Sequence, residues 1–397
     1  MDKKLILKKY FGYDEFKYPQ DFIIDKIEEG NDVIGLLPTG FGKSVIYQVL
    51  AMMQSGITII ISPLIALMED QVNGLKKKGI CVAMLHSNLS FEEQTSIYQG
   101  LLKEKYKLLY VSAERLENEI FQKYIMKLSI SLLVIDEAHT MLWAENFRKA
   151  YGHIYQFIQN LSKRPKILAV TATATNQTIE KISKLLKLVH PLIIELSMDR
   201  PLLFYSVIHT KNKMKELTSY LKRHSKEKGI LYCLTRRMVE ELHKKLWDLS
   251  FAVAYYHGGM SLKKKQENQE NFTKGISSLM ICTNAFGMGI DIPDIRFVIE
   301  YELPQSIEDL VQHMGRASRD GKYGEGILFF SYDDLSKLQY FIELSKDRST
   351  YKENQLKIDA VVDYCLSRSC RHKYISNYFQ QSITPCKYFC DNCKKSR

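Results

Sequence analysis

The order of apolar and polar residues in the first half of the chain predicts short strands separated by longer helices. The apolar runs are continuous rather than alternating, which is typical of strands buried on both faces of a sheet. Between them, apolar residues recur at helical spacing, as in Ser44–Gln54 and Phe91–Lys105. This rhythm indicates a doubly wound α/β domain with a parallel sheet. The predicted strands are Val33–Leu37, Thr58–Ile61, Lys107–Val111, Leu132–Ile135 and Ile167–Val170.

The same rhythm starts again in the second half. Helical patterns at Arg237–Trp247 and Lys263–Asn271 separate a second set of apolar runs. Pro201 interrupts the pattern, so we expect the two domains to join near Met198–Pro201. After about Asp333 helical patterning takes over, which predicts domains over residues 1–199, 200–332 and 333–397. The second set of predicted strands is Ile230–Cys233, Val253–Tyr256, Leu279–Cys282, Phe297–Ile299 and Gly326–Phe330.

Composition narrows the class of protein. The 397 residues are 45% hydrophobic and 25% charged, which is ordinary for a globular protein and argues against a disordered or fibrous chain. Runs such as Ile57–Ile61 are far shorter than the roughly 20 residues of a membrane span, and the N-terminus has no signal-peptide core. We therefore expect a cytoplasmic protein with no membrane partner. The net charge of +11 favours a nucleic-acid partner, although a basic protein without such a partner has the same charge.

The segment Leu37-Pro-Thr-Gly-Phe-Gly-Lys-Ser44 lies between a predicted strand and a predicted helix. Its glycines let backbone N–H groups face phosphate oxygens, and the helix N-terminus favours an anion. In such a loop Lys43 reaches the β- and γ-phosphates and the Ser44 hydroxyl binds Mg²⁺. Leu37 stands where the strict phosphate-loop pattern has glycine, so the segment is a variant of it.

Two further segments complete a nucleotide-hydrolysis pattern. Asp136-Glu-Ala-His139 follows an apolar run, which suits a carboxylate that anchors Mg²⁺ and a glutamate that polarises the attacking water. In the second domain, Arg316 and Arg319 share one helix face or turn. Alone they would be taken for a surface pair, but beside a nucleotide site they suit charge stabilisation on a transferring phosphoryl group.

The eight cysteines fall into two groups. Cys81, Cys233 and Cys282 are isolated in apolar stretches, so each is expected to be a small buried hydrophobe. Near the C-terminus, Cys365 is expected to be a core thiol, and His372 is a competing ligand for the remaining cysteines. Those four cysteines have the spacing C-x15-C-x3-C-x2-C, which fits a structural Zn²⁺ site, with an iron–sulfur cluster or disulfides as alternatives. They are Cys370, Cys386, Cys390 and Cys393.

The ordered series of motifs closely resembles the RecQ family of superfamily-two helicases over nearly the whole chain. Eight or more motifs in family order are far more specific than any one of them. The motifs are Phe11-Gly-Tyr13, Phe16-Lys-Tyr-Pro-Gln20, Pro38-Thr-Gly-Phe-Gly-Lys-Ser44, Ser62-Pro-Leu-Ile-Ala-Leu67 with Asp70-Gln71, Asp136-Glu-Ala-His139, Trp143-Ala-Glu-Asn-Phe-Arg148, Thr171-Ala-Thr-Ala174, Tyr256-His-Gly-Gly259, Ala285-Phe-Gly-Met-Gly-Ile-Asp291 and Gly315-Arg-Ala-Ser-Arg-Asp-Gly321.

The resemblance implies a role for each nucleotide-site residue. Gln20 reads adenine, with Lys17 where the family usually has arginine. Lys43, Ser44 and Asp136 hold the phosphates and Mg²⁺, and Glu137 polarises water. Arg316 and Arg319 match the last helicase motif, with Arg319 as the arginine finger. The other implied nucleotide-site residues are Thr39, Gly40, Gly42, Gly289 and Asp291.

The resemblance also implies a path for single-stranded DNA across both domains. The loop after His139 matches an aromatic-rich loop that couples DNA binding to hydrolysis, in which Trp143 and Phe147 stack on bases and Arg148 contacts phosphate. The alternative is that Trp143 and Phe147 are core side chains. The loop is one residue shorter than the family pattern. The implied DNA-backbone contacts are Ser62, Ser112, Arg115, Thr235, Arg236, His257 and Thr283.

The fold implied by the resemblance is two tandem RecA-like α/β domains with parallel sheets, followed by a small helical module that binds Zn²⁺ through four cysteines. The implied activity is ATP- and Mg²⁺-dependent 3′-to-5′ movement on single-stranded DNA, with unwinding of duplex DNA in repair and recombination. We expect a nucleoid-associated monomer that acts on 3′-tailed duplexes, with a single-strand-binding protein or repair proteins as partners.

Two alternatives to this activity remain open. One is a DNA-stimulated translocase or RNA helicase that needs a partner for strand separation, and the other is a binding or annealing module with an inert nucleotide pocket. We expect a short form of the family that lacks the winged-helix and HRDC domains of many relatives.

Overall fold

The computed structural model describes residues 2–38, 40–63, 65–86, 88–142, 145–286, 292–343 and 351–395, without the side chains of residues 66, 142, 145–151, 340–343 and 395. The chain divides into two compact units, Met1–Leu196 and Ser197–Arg397. The three-part division made from the sequence stays a prediction. No helix in the described ranges has both the length and the apolar character needed to cross a membrane.

A parallel sheet forms the centre of the first unit. Its strands are β1 (Val33–Leu36), β2 (Ile57–Ile61), β3 (Val82–Leu85), β4 (Leu108–Val111), β5 (Ile130–Ile135), β6 (Lys166–Thr171) and β7 (Leu192–Glu195). They lie side by side in the order β3-β4-β2-β5-β6-β1-β7. The helices of this unit are α1 (Lys3–Ile6), α2 (Gln20–Glu28), α3 (Lys43–Met53), α4 (Ile65–Lys77), α5 (Phe91–Leu102), α6 (Glu119–Ile125), α7 (Glu145–Asn160) and α8 (Asn176–Leu186).

The second unit repeats this architecture and adds helices after the sheet. Its strands are β8 (Leu203–His209), β9 (Lys228–Tyr232), β10 (Val253–Tyr256), β11 (Leu279–Cys282), β12 (Ile295–Glu300) and β13 (Gly324–Phe330), in the parallel order β10-β11-β9-β12-β13-β8. Its helices are α9 (Lys213–Arg223), α10 (Arg236–Asp248), α11 (Leu262–Thr273), α12 (Ile307–Met314), α13 (Asp333–Glu343), α14 (Tyr351–Leu366), α15 (Arg371–Tyr378) and α16 (Asp391–Lys395).

Buried apolar side chains line both faces of each sheet, as the continuous runs in the sequence predict. All ten predicted strands are present, with ends that differ by at most two residues. The three strands that the sequence did not indicate, β3, β7 and β8, all lie at sheet edges. In β8, buried and half-buried residues alternate, because an edge strand is less fully covered. The search for continuous apolar runs therefore found every central strand but only one of the four edge strands, β10.

The isolated cysteines follow the prediction in two cases of three. Cys233 and Cys282 are buried in the core of the second unit. Cys81 is exposed, so the prediction of burial was wrong for it. It lies just before β3, outside the part of the strand that packs into the core.

One buried carboxylate ties together three segments at the amino end of the first sheet. Asp32, just before β1, accepts hydrogen bonds from two guanidinium nitrogens of Arg164 at 3.1 and 2.6 Å. The backbone N–H groups of Ile167 and Val189 donate to the same carboxylate at 3.0 and 3.3 Å. These donors lie on β6 and just before β7, so Asp32 fixes the starts of neighbouring strands.

Replacement of this carboxylate should destabilise the first unit. We expect Asp32→Ala to lower the free energy of unfolding by about 3 kcal/mol, because it leaves a cation and two buried N–H groups without their acceptor. Hydrogen exchange of peptides from β1 and β6 during a urea titration measures this change. The control is Asp14→Ala, which removes an exposed carboxylate paired with Lys8 and should leave the exchange unchanged. Equal behaviour of the two variants would contradict the assignment.

Candidate active site and metal centre

The segment after β1 has the geometry of a phosphate-binding loop. Gly40 and Gly42 have φ angles of 78° and 90°, which side-chain-bearing residues rarely adopt, and α3 begins at Lys43. Leu37 is buried, and its N–H donates to the carbonyl oxygen of Thr171 at 2.9 Å. Leu37 therefore extends β1 instead of joining the turn, which explains how this position does without glycine. Thr39 lies outside the described residues.

The Gln20 side chain forms hydrogen bonds that connect the segment before α2 to the phosphate loop. Its side-chain Nε2 donates to the carbonyl oxygens of Phe41 and Gly42 at 3.2 and 3.1 Å. Its Oε1 accepts from the backbone N–H of Lys17 at 3.0 Å. A Cβ atom at Gly42 would lie 2.9 Å from this Nε2, so the close approach also requires glycine there. The Lys17 side chain itself is exposed.

The acidic pair at the end of β5 faces the phosphate loop. Lys43 Nζ forms a 2.9 Å ion pair with Glu137 Oε1. Asp136 Oδ1 accepts from the N–H of Glu137 at 3.0 Å. Burial, reinforced by the neighbouring Glu137 carboxylate and opposed by Lys43, raises the pKa of Asp136 to about 6. The Asp136 carboxylate and the Ser44 hydroxyl, on the first turn of α3, are oxygen donors of the kind that suits Mg²⁺.

Strain and a further contact mark the same turn. Glu137 has a φ of 46°, a left-handed conformation that is costly for a residue with a side chain and is frequent at functional sites. His139 Nδ1 lies 3.6 Å from Glu137 Oε2 and hydrogen-bonds the Thr171 hydroxyl at 2.8 Å. The Thr171 hydroxyl also donates to the carbonyl oxygen of Thr173 at 3.1 Å. His139 thereby links the acidic turn to the segment after β6.

The DNA contacts predicted for the first unit lie at the carboxyl edge of its sheet, because parallel strands all end at the same edge. Ser62 follows β2 and is fully buried, so its hydroxyl does not reach the surface in this structure. Ser112 follows β4 and is half-buried. Arg115 donates to Gln94 Oε1 at 2.6 Å. His86 follows β3 at the same edge and is buried, and the carbonyl oxygen of this residue accepts from Arg115 at 3.5 Å.

Several predicted residues fall outside the described structure. Trp143, Gly289 and Asp291 lie outside the described residues. Phe147 and Arg148 lie on α7, but their side chains are not described. Their assigned roles stay predictions.

In the second unit, the predicted DNA contacts lie after three adjacent strands. Thr235 caps α10 by accepting from the Met238 N–H at 3.1 Å, and Arg236 is exposed beside it. Thr283 is half-buried after β11. His257 follows β10 but is buried, with Nε2 3.0 Å from Glu240 Oε1 and Nδ1 accepting from the N–H of Gly259 at 3.2 Å. Both ring nitrogens are engaged, so His257 shapes its loop rather than presenting itself to a ligand.

The two predicted arginines share the turn after α12 rather than a helix face. Arg316 is buried beside the hydroxyl of Tyr232, and Arg319 is half-buried. Ser318, at a position where the family usually has glycine, has a φ of 61°. Arg200 holds this turn by donating to the carbonyl oxygens of residues 315 and 317 at 3.2 and 3.1 Å. Sequence analysis missed Arg200, since a lone arginine after a predicted boundary carries no signal.

The four clustered cysteines converge on one point. The Sγ atoms of Cys370, Cys386, Cys390 and Cys393 all lie within 4.8 Å of one another. A tetrahedral zinc site with bonds of about 2.3 Å has sulfur–sulfur distances of about 3.8 Å, so these thiols fit Zn²⁺. The Cys370 Sγ accepts from the N–H of Cys386 at 3.3 Å, and the Cys390 Sγ accepts from the N–H of Cys393 at 3.4 Å. Such bonds stabilise thiolates.

The two residues that could have competed for the metal have other roles. His372 Nδ1 lies 2.7 Å from Asp199 Oδ1, and its Nε2 lies 2.9 Å from the carbonyl oxygen of Phe389. Both nitrogens are therefore engaged away from the cysteines. Cys365 is buried in the core, as predicted.

The cysteine-bearing segment packs onto the second sheet. The carbonyl oxygen of Phe389 accepts from the N–H of Tyr205 on β8 at 3.3 Å, and Tyr205 also forms a parallel bridge with Cys390. The N–H of Val207 donates to Asp391 Oδ2 at 3.1 Å, and Arg371 Nε donates to Asp391 Oδ1 at 2.9 Å. These bonds cover the edge of β8 and make the metal centre part of the second unit.

Removal of the metal should therefore disturb the structure. We expect the purified protein to contain about one zinc ion per chain and to lose structure around α15 and α16 on chelation. Elemental analysis and circular dichroism measure the two effects. Cys393→Ser should lower the zinc content, whereas Cys81→Ser, at an exposed cysteine far from the cluster in sequence, should not. Folded, unchelated protein without zinc would contradict the assignment.

Known protein families and solved structures are similar to this chain over most of its length. Three family models match in succession, namely DEAD/DEAH box helicase over residues 17–182, helicase conserved C-terminal domain over 212–321 and RecQ zinc-binding over 332–394. Among solved structures, Mss116p bound to ssRNA and AMP-PNP matches with a TM-score of 0.72 at 18% identity, over 95% of this chain and 89% of that one, which shows a shared fold.

Two bacterial relatives extend along almost the entire chain. The ATP-dependent DNA helicase RecQ of Bacillus subtilis is 35% identical over 394 residues, which are 99% of this chain and 67% of that protein. The protein of the same name from Haemophilus influenzae is 34% identical over 98% of this chain and 63% of its own length. The chain thus spans about two thirds of the length of these curated relatives. It belongs to the RecQ family of ATP-dependent DNA helicases.

Proposed function

We propose that this chain moves 3′ to 5′ along single-stranded DNA at the expense of ATP and unwinds duplex DNA in repair and recombination. The observation that carries the proposal is the buried group of Lys43, Asp136 and Glu137 behind a glycine-bearing loop at a helix N-terminus. At one edge of the sheet, the loop and Lys43 offer a phosphate site, Asp136 a metal ligand and Glu137 a general base. Family membership supports DNA as the polymer.

The ion pair between Lys43 and Glu137 suggests how the site responds to ATP. Without nucleotide, each charge compensates the other at 2.9 Å. The phosphates of ATP carry more negative charge than one carboxylate, so we infer that Lys43 leaves Glu137 for them. The Glu137 carboxylate is then able to accept a proton from the attacking water. Ser44 and Asp136 would hold Mg²⁺, which would supply positive charge to the phosphates.

The other nucleotide contacts follow the family pattern. Gly40, Gly42 and Thr39 offer backbone groups to the phosphates, and Gln20 and Lys17 recognise adenine. Arg316 and Arg319 supply positive charge to the transferring phosphoryl group, with Arg319 as the finger. Gly289 and Asp291 are the remaining residues proposed to contact the nucleotide.

Single-stranded DNA is proposed to contact the carboxyl edge of each sheet. Arg115, Arg236, Ser112, Thr235 and Thr283 offer the cations and hydroxyls that suit sequence-independent contact with phosphates. Ser62 and His257 form the floor of this surface. Trp143 and Phe147 are proposed to stack on bases, with Arg148 on phosphate. We propose 3′-tailed duplexes as substrates, a monomer as the active species, and a single-strand-binding protein or repair proteins as partners.

Strand displacement on tailed duplexes tests the proposal. With ATP and Mg²⁺, we expect displacement from a 3′ tail and none from a 5′ tail. Lys43→Ala should lower displacement and ATP hydrolysis about 100-fold, because the phosphates lose their buried cation. Lys222→Ala, at an exposed lysine on α9, is the matched control and should act like the unaltered protein.

The other outcomes of this experiment are equally informative. DNA-stimulated hydrolysis without displacement would replace the proposal with a translocase that needs a partner for strand separation. Equal unwinding of RNA and DNA duplexes would favour an RNA helicase. Displacement from 5′ tails would contradict the direction.

Glu137→Gln separates nucleotide binding from hydrolysis. Hydrolysis should fall about 100-fold, since an amide cannot take the proton from water. Affinity for AMP-PNP should stay the same or rise, because Lys43 no longer has a carboxylate that competes with phosphate. Equilibrium binding and steady-state hydrolysis measure the two effects. Unchanged hydrolysis would indicate an inert nucleotide pocket.

A further inference from the structure

A short segment before β8 holds the turn that carries Arg316 and Arg319. Arg200 Nη1 donates to the carbonyl oxygen of Gly315 at 3.2 Å, and its Nη2 donates to that of Ala317 at 3.1 Å. These two carbonyl groups lie on either side of Arg316 along the chain, and both residues that carry them are buried. One guanidinium group therefore fixes the backbone before and after Arg316.

The end of helix α12 explains why a guanidinium group suits this place. Gly315 caps α12, and carbonyl groups at the C-terminus of a helix lack donors within the helix. The negative end of the helix dipole also attracts a cation. A guanidinium group donates from two nitrogens in a fixed, planar fork, so it bridges two carbonyl oxygens more precisely than the point charge of an ammonium group does. Arg200 thus supplies both the charge and the geometry that this turn requires.

The segment that carries Arg200 is held in turn by the cysteine-bearing segment, residues 370–393. Asp199 Oδ1 lies 2.7 Å from Nδ1 of His372, which is buried on α15. The other ring nitrogen of His372, Nε2, lies 2.9 Å from the carbonyl oxygen of Phe389, the residue before Cys390. The orientation of the His372 ring, and with it the position of Asp199, is therefore fixed by the part of the chain that carries the cysteines.

Backbone hydrogen bonds hold the same segment on both sides of Asp199. The N–H of Met198 donates to Oε1 of Gln381 in the cysteine-bearing segment at 2.7 Å. The carbonyl oxygen of Arg200 accepts from the N–H of Leu203, the first residue of β8, at 2.9 Å. Residues 198–200 are thus fastened to the cysteine-bearing segment at one end and to β8 at the other, with the Arg200 side chain directed to the turn after α12.

We propose that Arg200 is a positioning residue for the two arginines of this turn, and that Asp199 makes the positioning depend on the cysteine-bearing segment. The proposal rests on the proposed function, which assigns Arg316 and Arg319 to the transferring phosphoryl group. A guanidinium group stabilises developing charge only where it is held in the correct place, and a displacement of about 1 Å can lower a rate about 100-fold. The cysteine-bearing segment thereby contributes to hydrolysis, although none of its residues is assigned to the nucleotide.

A purely structural role for Arg200 makes different predictions. Loss of its hydrogen bonds to buried carbonyl groups lowers stability in either case. With a purely structural role, the protein that remains folded hydrolyses ATP as fast as before. With positioning, kcat falls while KM for ATP changes little, because the arginines act on the transition state and the phosphate loop of the first unit binds the ground state.

The first test measures ATP hydrolysis at saturating single-stranded DNA. We expect Arg200→Ala to lower kcat about tenfold with little change in KM. Arg200→Lys should have an intermediate kcat, since an ammonium group does not bridge both carbonyl oxygens in the same geometry. The control is Arg223→Ala, at an exposed arginine of α9 that donates to a carbonyl oxygen within its own helix, and it should act like the unaltered protein. An unchanged kcat in folded Arg200→Ala protein overturns the proposal.

The second test measures binding instead of turnover. ADP with aluminium fluoride mimics the transferring phosphoryl group, whereas AMP-PNP mimics bound ATP. We expect Arg200→Ala to weaken binding of ADP with aluminium fluoride to the full chain about tenfold and to leave the affinity for AMP-PNP unchanged. Equal effects on the two ligands, or no effect on either, overturn the proposal.

Asp199→Ala tests the dependence on the cysteine-bearing segment. The side chain of Asp199 is partly exposed, so the variant should fold and keep its zinc, which elemental analysis measures. We expect kcat to fall several-fold. In the double variant with Arg200→Ala, kcat should equal that of Arg200→Ala alone, because Asp199 acts through Arg200. An unchanged kcat in Asp199→Ala protein, or losses that add in the double variant, overturn this dependence.

The outcomes also separate this inference from the proposed function. If Arg319→Ala lowers hydrolysis and Arg200→Ala does not, only the inference fails. If Arg319→Ala hydrolyses ATP as fast as the unaltered protein, the assignment of the finger in the proposed function fails. If the unaltered protein hydrolyses ATP but displaces no strand, unwinding fails while both tests of Arg200 remain measurable. If Arg200→Ala does not fold, Arg200→Lys and Asp199→Ala decide, and an unchanged kcat in both overturns the inference.

Discussion

Parallel strands all end at the same edge of a sheet, and both units of this chain depend on that constraint. In the first unit, the ends of β1, β5 and β6 place a phosphate loop, an acidic pair and a threonine side by side. In the second, the ends of β9, β10 and β11 bring hydroxyls and a cation together from distant parts of the sequence. The residues proposed for catalysis and DNA contact thus lie on loops, and the central strands contribute stability and order.

Charge balance is the second constraint on the nucleotide site. Carboxylates and an ammonium group are buried within a few ångströms, a cost that is tolerated only because each has an opposite charge or a hydrogen-bond donor beside it. The charges of Lys43 and Glu137 compensate each other, and the N–H of Glu137 donates to Asp136. In the proposed function, binding of ATP exchanges the partner of Lys43.

The sequence predicted the central strands and the phosphate loop because these depend on local pattern: apolar runs, glycines and a helix start. The zinc ligands were also predictable, since their spacing along the chain is short. The edge strand β8 was missed because half-buried positions alternate with buried ones along it, whereas β3 and β7 were missed although their short runs are apolar. Arg200 was not predictable, because its partners are distant in sequence and a single arginine carries no signal. His257 was assigned to DNA by resemblance. In the structure its ring is buried and contacts Glu240 on α10, a residue that the motif does not include.

The cover that the cysteine segment provides for β8 has a consequence for how the chain folds. β8 is the first strand of the second unit in sequence, yet its free edge is closed by Phe389 and Cys390, almost two hundred residues later. During synthesis this edge of β8 stays unpaired until the cysteine segment has been made and binds its metal. An uncovered strand edge pairs readily with strands of other chains. Folding of the cysteine segment around its metal therefore protects this edge of β8 from pairing with other chains.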